Sequence, residues 1–240
     1  MLSDKGQKMT LKGRDGRAIG VRLEVNPKAK RLILRLDERT REAVAVAPTR
    51  RELRAAANFA AERVDWISER LETLPVATPL AEGTIITLRG EPCRLTLEGR
   101  GRVAKLGTHP DLHLSAPGDA GTFGDRVLRY LRRAAVSDLG DAVERHCATL
   151  GVNAQRITVK DTRSRWGSCT ADGRLSFSWR LILAPPDVLD YVAAHECAHL
   201  VEMNHSAAFW AQVACCRPDW PQQRDWLRSH GRNLHAIGTV

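Results

Sequence analysis

A pair of histidines with a glutamate beside the first is the part of the sequence whose residue types can do chemistry. The segment reads His195-Glu196-Cys197-Ala198-His199 and follows Ala184-Pro185-Pro186-Asp187, which predicts a helix with Asp187 as its N-cap. Positions i and i+4 are about 40° apart around a helix, so the two imidazoles can bind one cation. Glu196 lies next to the first ligand and can take a proton from a metal-bound water. The segment therefore predicts a catalytic metal site.

A third ligand is expected nearby, because catalytic zinc has three protein ligands and one open position. His205 follows His199 by six residues. Asn204 tolerates the left-handed conformation that ends a helix, and Ser206 can cap a second helix over residues 207–215. The chain can therefore turn back and bring His205 to the metal. We expect about one zinc ion per chain.

Other side chains are weaker candidates for this site. Glu202 is the last glutamate in the chain, so no downstream glutamate can serve as the third ligand. Two aspartates remain open as alternatives to His205, namely Asp219 and Asp225. The remaining histidines are predicted to be surface or capping residues: His109, His113, His146, His230 and His235.

Two motifs in the C-terminal half together resemble one known family. His195–Leu200 is followed by Asn204–Ser206 and by Phe209-Trp210, and Arg165-Trp166-Gly167-Ser168-Cys169 lies upstream. These motifs, in this order, resemble the YgjP-like metallopeptidases, most clearly over residues 156–230 and more weakly over the N-terminal strands and helix.

The resemblance implies a zincin-type fold related to the SprT-like and Wss-type DNA-repair proteases. It also implies that His195, His199 and His205 bind one Zn²⁺ per chain and that Glu196 is the catalytic base. It implies a protein or peptide substrate without naming one.

The role of the Arg165–Cys169 segment stays open between two interpretations. Gly167 suggests a backbone lying close to another element. Arg165, Trp166 or Ser168 could then contact substrate or orient a ligand histidine. In the alternative, the segment is a packing corner in which Trp166 fills the core and Cys169 is a small apolar residue.

Hydrophobic periodicity predicts the elements that position these residues. Residues 1–120 form a β-rich, basic N-terminal portion, and residues 121–240 form a largely helical zincin-type domain with a small antiparallel sheet; the class is α+β. The predicted strands of an antiparallel N-terminal meander are residues 19–25, 31–36 and 43–47. The other predicted strands are residues 84–88, 93–97, 112–114, 156–160 and 175–179, and the predicted long helices are residues 51–74 and 123–150.

Composition excludes several classes of protein. The 240 residues are 43% apolar and 27% charged, which is typical of a globular chain and not of a disordered or coiled-coil one. No apolar run is long enough to span a bilayer, and the first 20 residues are too polar for a signal peptide, so we expect no membrane partner and a cytoplasmic location. None of the six cysteines forms a CxxC pair, and we expect reduced thiols.

The excess of positive charge lies in the first third of the chain. Residues 1–75 hold 17 basic and 11 acidic residues, so their net charge is 17 − 11 = +6. The net charge of the whole chain is +9. This excess could bind nucleic acid, or it could be an Arg-rich solvated surface.

We therefore predict a zinc metallopeptidase that hydrolyses peptide bonds with Glu196 as general base. A strand at the edge of the cleft could hold an extended peptide by β-augmentation. One alternative is a DNA-associated protease acting on DNA-bound proteins, which the basic N-terminal third would favour. The other is a non-catalytic, zinc-stabilised binding module, against which Glu196 argues because a structural site needs no base.

Overall fold

A computed structural model describes residues 7–13, 16–37, 40–99, 101–162 and 165–238. By the density of its internal contacts the chain divides into two compact units, residues 1–76 and 77–240. The boundary predicted at residues 120 and 121 falls inside the second unit, and the division at that point stays a prediction. The mixed α+β class is confirmed.

The first unit is a four-stranded sheet with two short helices against it. Its elements are β1 (Gln7–Lys12), β2 (Ala18–Val25), β3 (Ile33–Asp37), β4 (Glu42–Ala47), α1 (Leu53–Ala61) and α2 (Val64–Glu72). The strand order is β1-β2-β4-β3, and β2 and β4 are parallel. The prediction of an antiparallel meander is wrong, because alternation sets the period of each strand but not its neighbour. Ala43 to Ala47 are all buried, which suits the interior position that β4 takes between β2 and β3.

The helix predicted over residues 51–74 is interrupted. A 3₁₀ turn over Arg50–Glu52 precedes α1, and Glu62 and Arg63 separate α1 from α2. Ala56, Ala60 and Ile67 are fully buried and pack with the apolar face of the sheet. The core of this unit therefore consists mainly of small aliphatic side chains.

In its described residues, the second unit contains two sheets, four α-helices and a 3₁₀ turn over Trp179–Leu183. Its strands are β5 (Ile85–Leu88), β6 (Glu91–Leu97), β7 (Lys105–Gly107), β8 (His113–Ala116), β9 (Arg156–Lys160), β10 (Gly167–Cys169) and β11 (Arg174–Ser178). Its helices are α3 (Ala120–Leu150), α4 (Pro186–Ala198), α5 (Ala207–Cys216) and α6 (Trp220–Ala236). The strand orders are β5-β6-β8-β7 and β10-β11-β9. The small sheet of this unit, predicted to be antiparallel, is mixed, since β9 runs parallel to β11 and β10 antiparallel to it.

The long helix α3 forms the centre of this unit's core. Asp119 caps it by accepting a hydrogen bond from the Thr122 amide, and Gly151 ends it in the left-handed conformation with φ of 67°. A buried stripe recurs every four positions along it: Phe123, Val127, Leu131, Ala135, Leu139, Val143 and Cys147. This stripe belongs to the same apolar core as α4.

None of the helices in the described residues combines the length and apolar character that crossing a bilayer requires. All six cysteines are free thiols.

Candidate metal centre

Helix α4 carries the first two candidate ligands. It begins at Pro186, with Pro185 in the N-cap position, so Asp187 lies in the first turn and the prediction that it caps the helix is wrong. Proline suits the first turn because its missing N–H would have no partner there. Val188 and Val192 are buried on the inner face, and the helix ends at Ala198 with His199 as its C-cap.

A tight turn after α4 brings the third histidine back to the first two. The amide of Leu200 donates to the Cys197 carbonyl, and the amide of Ser206 donates to the Asn204 carbonyl. Among the described non-glycine residues only Arg41 and Arg89 have a positive φ, so the left-handed conformation predicted for Asn204 is wrong. Ser206 caps α5 as predicted, because its hydroxyl accepts from the Phe209 amide at 3.3 Å.

The three imidazoles converge on one point. One ring nitrogen from each of His195, His199 and His205 lies within 4.8 Å of the others. The Nε2 atoms of His195 and His205 are 3.1 Å apart. Two nitrogens bound to one tetrahedral zinc at 2.0–2.1 Å would be separated by about 3.3 Å, so this spacing fits a shared cation.

The protonation of the rings also suits a cation. Burial lowers the pKa of His195 to about 3, with further lowering from His199 and His205. Burial likewise lowers the pKa of His199. His199 Nδ1 lies 3.1 Å from the Glu202 carbonyl, to which its N–H can donate a hydrogen bond, and this leaves Nε2 as the ligand atom. The rings of His195 and His199 are therefore neutral near pH 7, the form that binds metals.

Phe209 of α5 forms the floor beneath all three rings. Its own side chain is fully buried, and its ring centroid lies 4.9 Å from that of His195, 4.4 Å from that of His199 and 4.8 Å from that of His205. Trp210 stacks on the His205 ring at 5.9 Å and on Trp220 at 4.2 Å. The sequence shows that Phe209 and Trp210 follow closely after His205. The contact of Phe209 with all three histidines, however, depends on the turn before α5.

Glu196 is a buried acid without an ionic partner among the described residues. Its residue is 5% exposed, and no described side chain or amide forms a hydrogen bond with its carboxyl group. Burial raises the pKa of Glu196 to about 8. An unpaired buried acid is costly for stability and is a common feature of functional sites.

The Arg165–Cys169 segment lies directly against this acid. Residues 167–169 form β10, a strand that the sequence patterns did not predict, and β10 packs on α4. A Cβ atom built on Gly167 would lie 2.5 Å from Glu196 Oε1. The close approach that Gly167 predicts is therefore present, and the neighbouring element is α4.

The three residues proposed from this segment occupy different environments. Trp166 is half-buried and stacks on His235 of α6 with ring centroids 4.2 Å apart. Arg165 is exposed, and its carbonyl accepts from the Thr162 hydroxyl. Ser168 is half-buried and pairs in register with Ser176; because side chains alternate along a strand, it points away from the face that Gly167 turns to α4. Any direct role for these residues stays a prediction.

The alternative ligands and the other histidines lie outside the cluster. Among the described residues, only His195, His199 and His205 form a group of at least three potential ligands. Asp219 is engaged instead by Arg217 and Gln223, and Asp225 lies near Arg224 and Arg228. His146 faces Asp190, with Nε2 3.0 Å from Oδ1.

Comparison with known proteins finds one family whose model matches most of the chain. A family model described as YgjP-like, metallopeptidase domain, matches residues 30–230. A solved structure similar to part of this chain is the crystal structure of the metallopeptidase zymogen of Pyrococcus abyssi abylysin, at 20% identity and a TM-score of 0.36. The alignment covers 40% of this chain and 97% of that chain. The comparison with curated proteins finds no match.

Proposed function

Because the chain belongs to the YgjP-like metallopeptidase family, we propose that it is a zinc-dependent peptidase with Glu196 as its general base. His195, His199 and His205 would hold one zinc ion per chain. The observation that carries the proposal is the convergence of three imidazole nitrogens within 4.8 Å, next in sequence to a buried carboxyl group.

The donor set favours zinc over other common divalent ions. Three imidazoles without a carboxylate suit a borderline-soft ion, whereas Ca²⁺ and Mg²⁺ prefer oxygen ligands. When bound, zinc supplies a Lewis acid that lowers the pKa of a coordinated water and polarises the scissile carbonyl. The exposure of His205 leaves the centre open to substrate on that side.

Glu196 would transfer the proton during hydrolysis. A nearby cation favours its ionised form, which accepts the proton of the attacking water. The carboxyl group then returns this proton to the leaving amine.

The sheet offers an edge at which an extended peptide could bind. β10 is the outer strand in the order β10-β11-β9, and its Gly167 lies against Glu196. A peptide paired with this edge would present its main chain close to the same carboxyl group. Substrates with N-methylated amides at alternate positions should then show a raised KM, whereas uniform hydrolysis of all such peptides would exclude this mode of binding.

The test of the proposed function combines metal analysis with hydrolysis. The purified protein should contain about one zinc per chain and cleave casein or a peptide library, and removal of the metal by a chelator should abolish cleavage until zinc is restored. A protein that binds zinc but cleaves no member of the library would favour the non-catalytic binding module.

The DNA-associated alternative has little support in the described first unit. Three basic side chains on its sheet pair with acidic ones: Lys8 with Glu42, Arg35 with Glu24, and Arg22 with Glu24, Asp37 and Glu42. This pairing leaves fewer free cations for phosphate than the number of basic residues implies. DNA binding that falls steeply with salt and stimulates cleavage would support this alternative.

We also propose a cytoplasmic location. Six free thiols suit a reducing compartment. Cell fractionation tests this location directly.

A further inference from the structure

The glycine at position 167 is not required by its own backbone. Gly167 is absent from the residues with positive φ, and it pairs with Phe177 in an ordinary antiparallel register. Alanine could therefore adopt this backbone conformation without strain, and β-strands disfavour glycine. The need for glycine must come from what lies next to it.

The neighbour is the carboxyl group of Glu196. A Cβ atom on residue 167 would lie 2.5 Å from Oε1, 2.6 Å from Cγ and 2.8 Å from Cδ of that side chain. The optimal separation of two non-bonded carbon atoms is about 3.5–4.0 Å, so these distances are too short. Any side chain at position 167 would therefore force the carboxyl group or the strand to move.

The strand is held in place from the other side. Trp166 stacks on His235, and a Cβ atom on Gly231 would lie 3.0 Å from Cζ2 of the Trp166 indole. The Trp166 carbonyl also accepts from the Ser178 amide at 2.9 Å. Because helix α6 and strand β11 both fix Trp166, the residue after it cannot easily retreat from α4.

We propose that Gly167 is a positioning residue that holds the Glu196 carboxyl group in its reactive orientation. This inference rests on the proposed role of Glu196 as general base. The backbone of β10 covers one side of the carboxyl group and so limits its movement on that side. The Arg165–Cys169 segment thus acts on catalysis through Glu196, with Trp166 as the anchor to α6.

The kinetic test is Gly167→Ala, with Gly140→Ala as the matched control. Gly140 lies on α3, and a Cβ atom there would meet nothing within 4 Å. Gly167→Ala should lower kcat by about tenfold to a hundredfold, because small displacements of a catalytic group have effects of this size. KM and zinc content should stay within about twofold of the wild type. Wild-type kcat, or a loss of zinc in proportion to activity, would overturn the proposal.

A double-mutant cycle separates positioning from a general structural effect. In a Glu196→Asp background the carboxyl group is one methylene shorter, and Gly167→Ala should then cost less than about threefold in kcat. An equal loss in both backgrounds would show that Gly167 does not act through Glu196.

A second cycle needs no catalytic activity and separates this inference from the proposed function. Gly167→Ala should lower the unfolding temperature of the metal-free wild type by about 4 °C and leave that of Glu196→Ala unchanged. If the wild type cleaves nothing, the proposed function fails, but the unfolding temperatures still test the contact between Gly167 and Glu196. An equal decrease in both backgrounds, or none in either, would overturn the inference.

Discussion

The Nε2 atoms of His195 and His205 lie 3.1 Å apart, although the two histidines are ten positions apart in the sequence. His195 lies in the last turn of α4, and His205 precedes Ser206, the N-cap of α5. The chain must therefore leave the helix directly after His199 for the third imidazole to reach the first. The geometry of the candidate centre depends on this turn as much as on the spacing within the helix.

Replacing the third histidine should remove the metal. In His205→Ala, bound zinc should fall from about one per chain to a small fraction of that, because two imidazoles alone leave the ion with too few ligands. His199→Ala should behave in the same way. Metal content measured after dialysis is the readout, and His230→Ala is the control, since His230 stacks on Trp226 outside the cluster. Full zinc retention in His205→Ala would remove it from the ligand set.

Replacing Glu196 by glutamine should separate catalysis from metal binding. Gln keeps the size of the side chain but cannot accept the proton, so kcat should fall by roughly a hundredfold or more. Zinc content should not change. Hydrolysis rates and metal content measured on one preparation test both points. A variant that holds zinc and cleaves at the wild-type rate would exclude Glu196 as the base.

Truncating the floor of the centre should weaken both the fold and the metal site. Phe209→Ala should lower the free energy of unfolding by about 3–5 kcal/mol, as for other buried aromatic residues. Zinc affinity should fall as well, because all three imidazoles lose their packing surface. Denaturant unfolding of the metal-free protein and a zinc titration measure these effects separately.

Two variants serve as references for Phe209→Ala. Phe209→Leu should cost less than the alanine variant, because leucine leaves a smaller cavity. Phe59→Ala, in the first unit, should leave zinc affinity unchanged. A Phe209→Ala protein with wild-type zinc affinity would show that the rings are positioned without this floor.

The acid at position 190 should make stability depend on pH. Burial raises the pKa of Asp190, but the hydrogen bond and charge of His146, together with Arg145 and Arg217, lower it to about 2 overall. A depressed folded-state pKa contributes stability above the unfolded value of 3.8, and this contribution is lost as the pH falls from 3.8 towards 2. Unfolding free energies measured at pH 7, 4 and 2.5 should show this loss.

Asp190→Asn is the matched variant for that measurement. It should be less stable than the wild type at pH 7 by about 2 kcal/mol, and the difference should shrink as the pH falls below 3.8. A constant difference between the two proteins across this range would show that the carboxylate of Asp190 is not the source of the acid sensitivity.

Local signals along the chain predicted most of the elements around the site. The buried stripe of α3 repeats every four residues and Gly151 caps the end of the helix, so the position of α3 was accessible from periodicity and one glycine. Ser206 was recognisable as a helix cap for the same local reason. Pairing between strands was not accessible, because the alternation in β2 is the same whether its neighbour is β3 or β4.

The sequence by itself determined the chemistry that can occur, and the tertiary structure decided which groups share a site. The i and i+4 spacing of His195 and His199 follows from helix geometry alone. By contrast, the contact of Gly167 with Glu196 and the stack of Trp166 on His235 join residues 29 and 69 positions apart. Contacts of this kind depend on how β10, α4 and α6 pack together, and packing is a property of the whole core that no local pattern encodes.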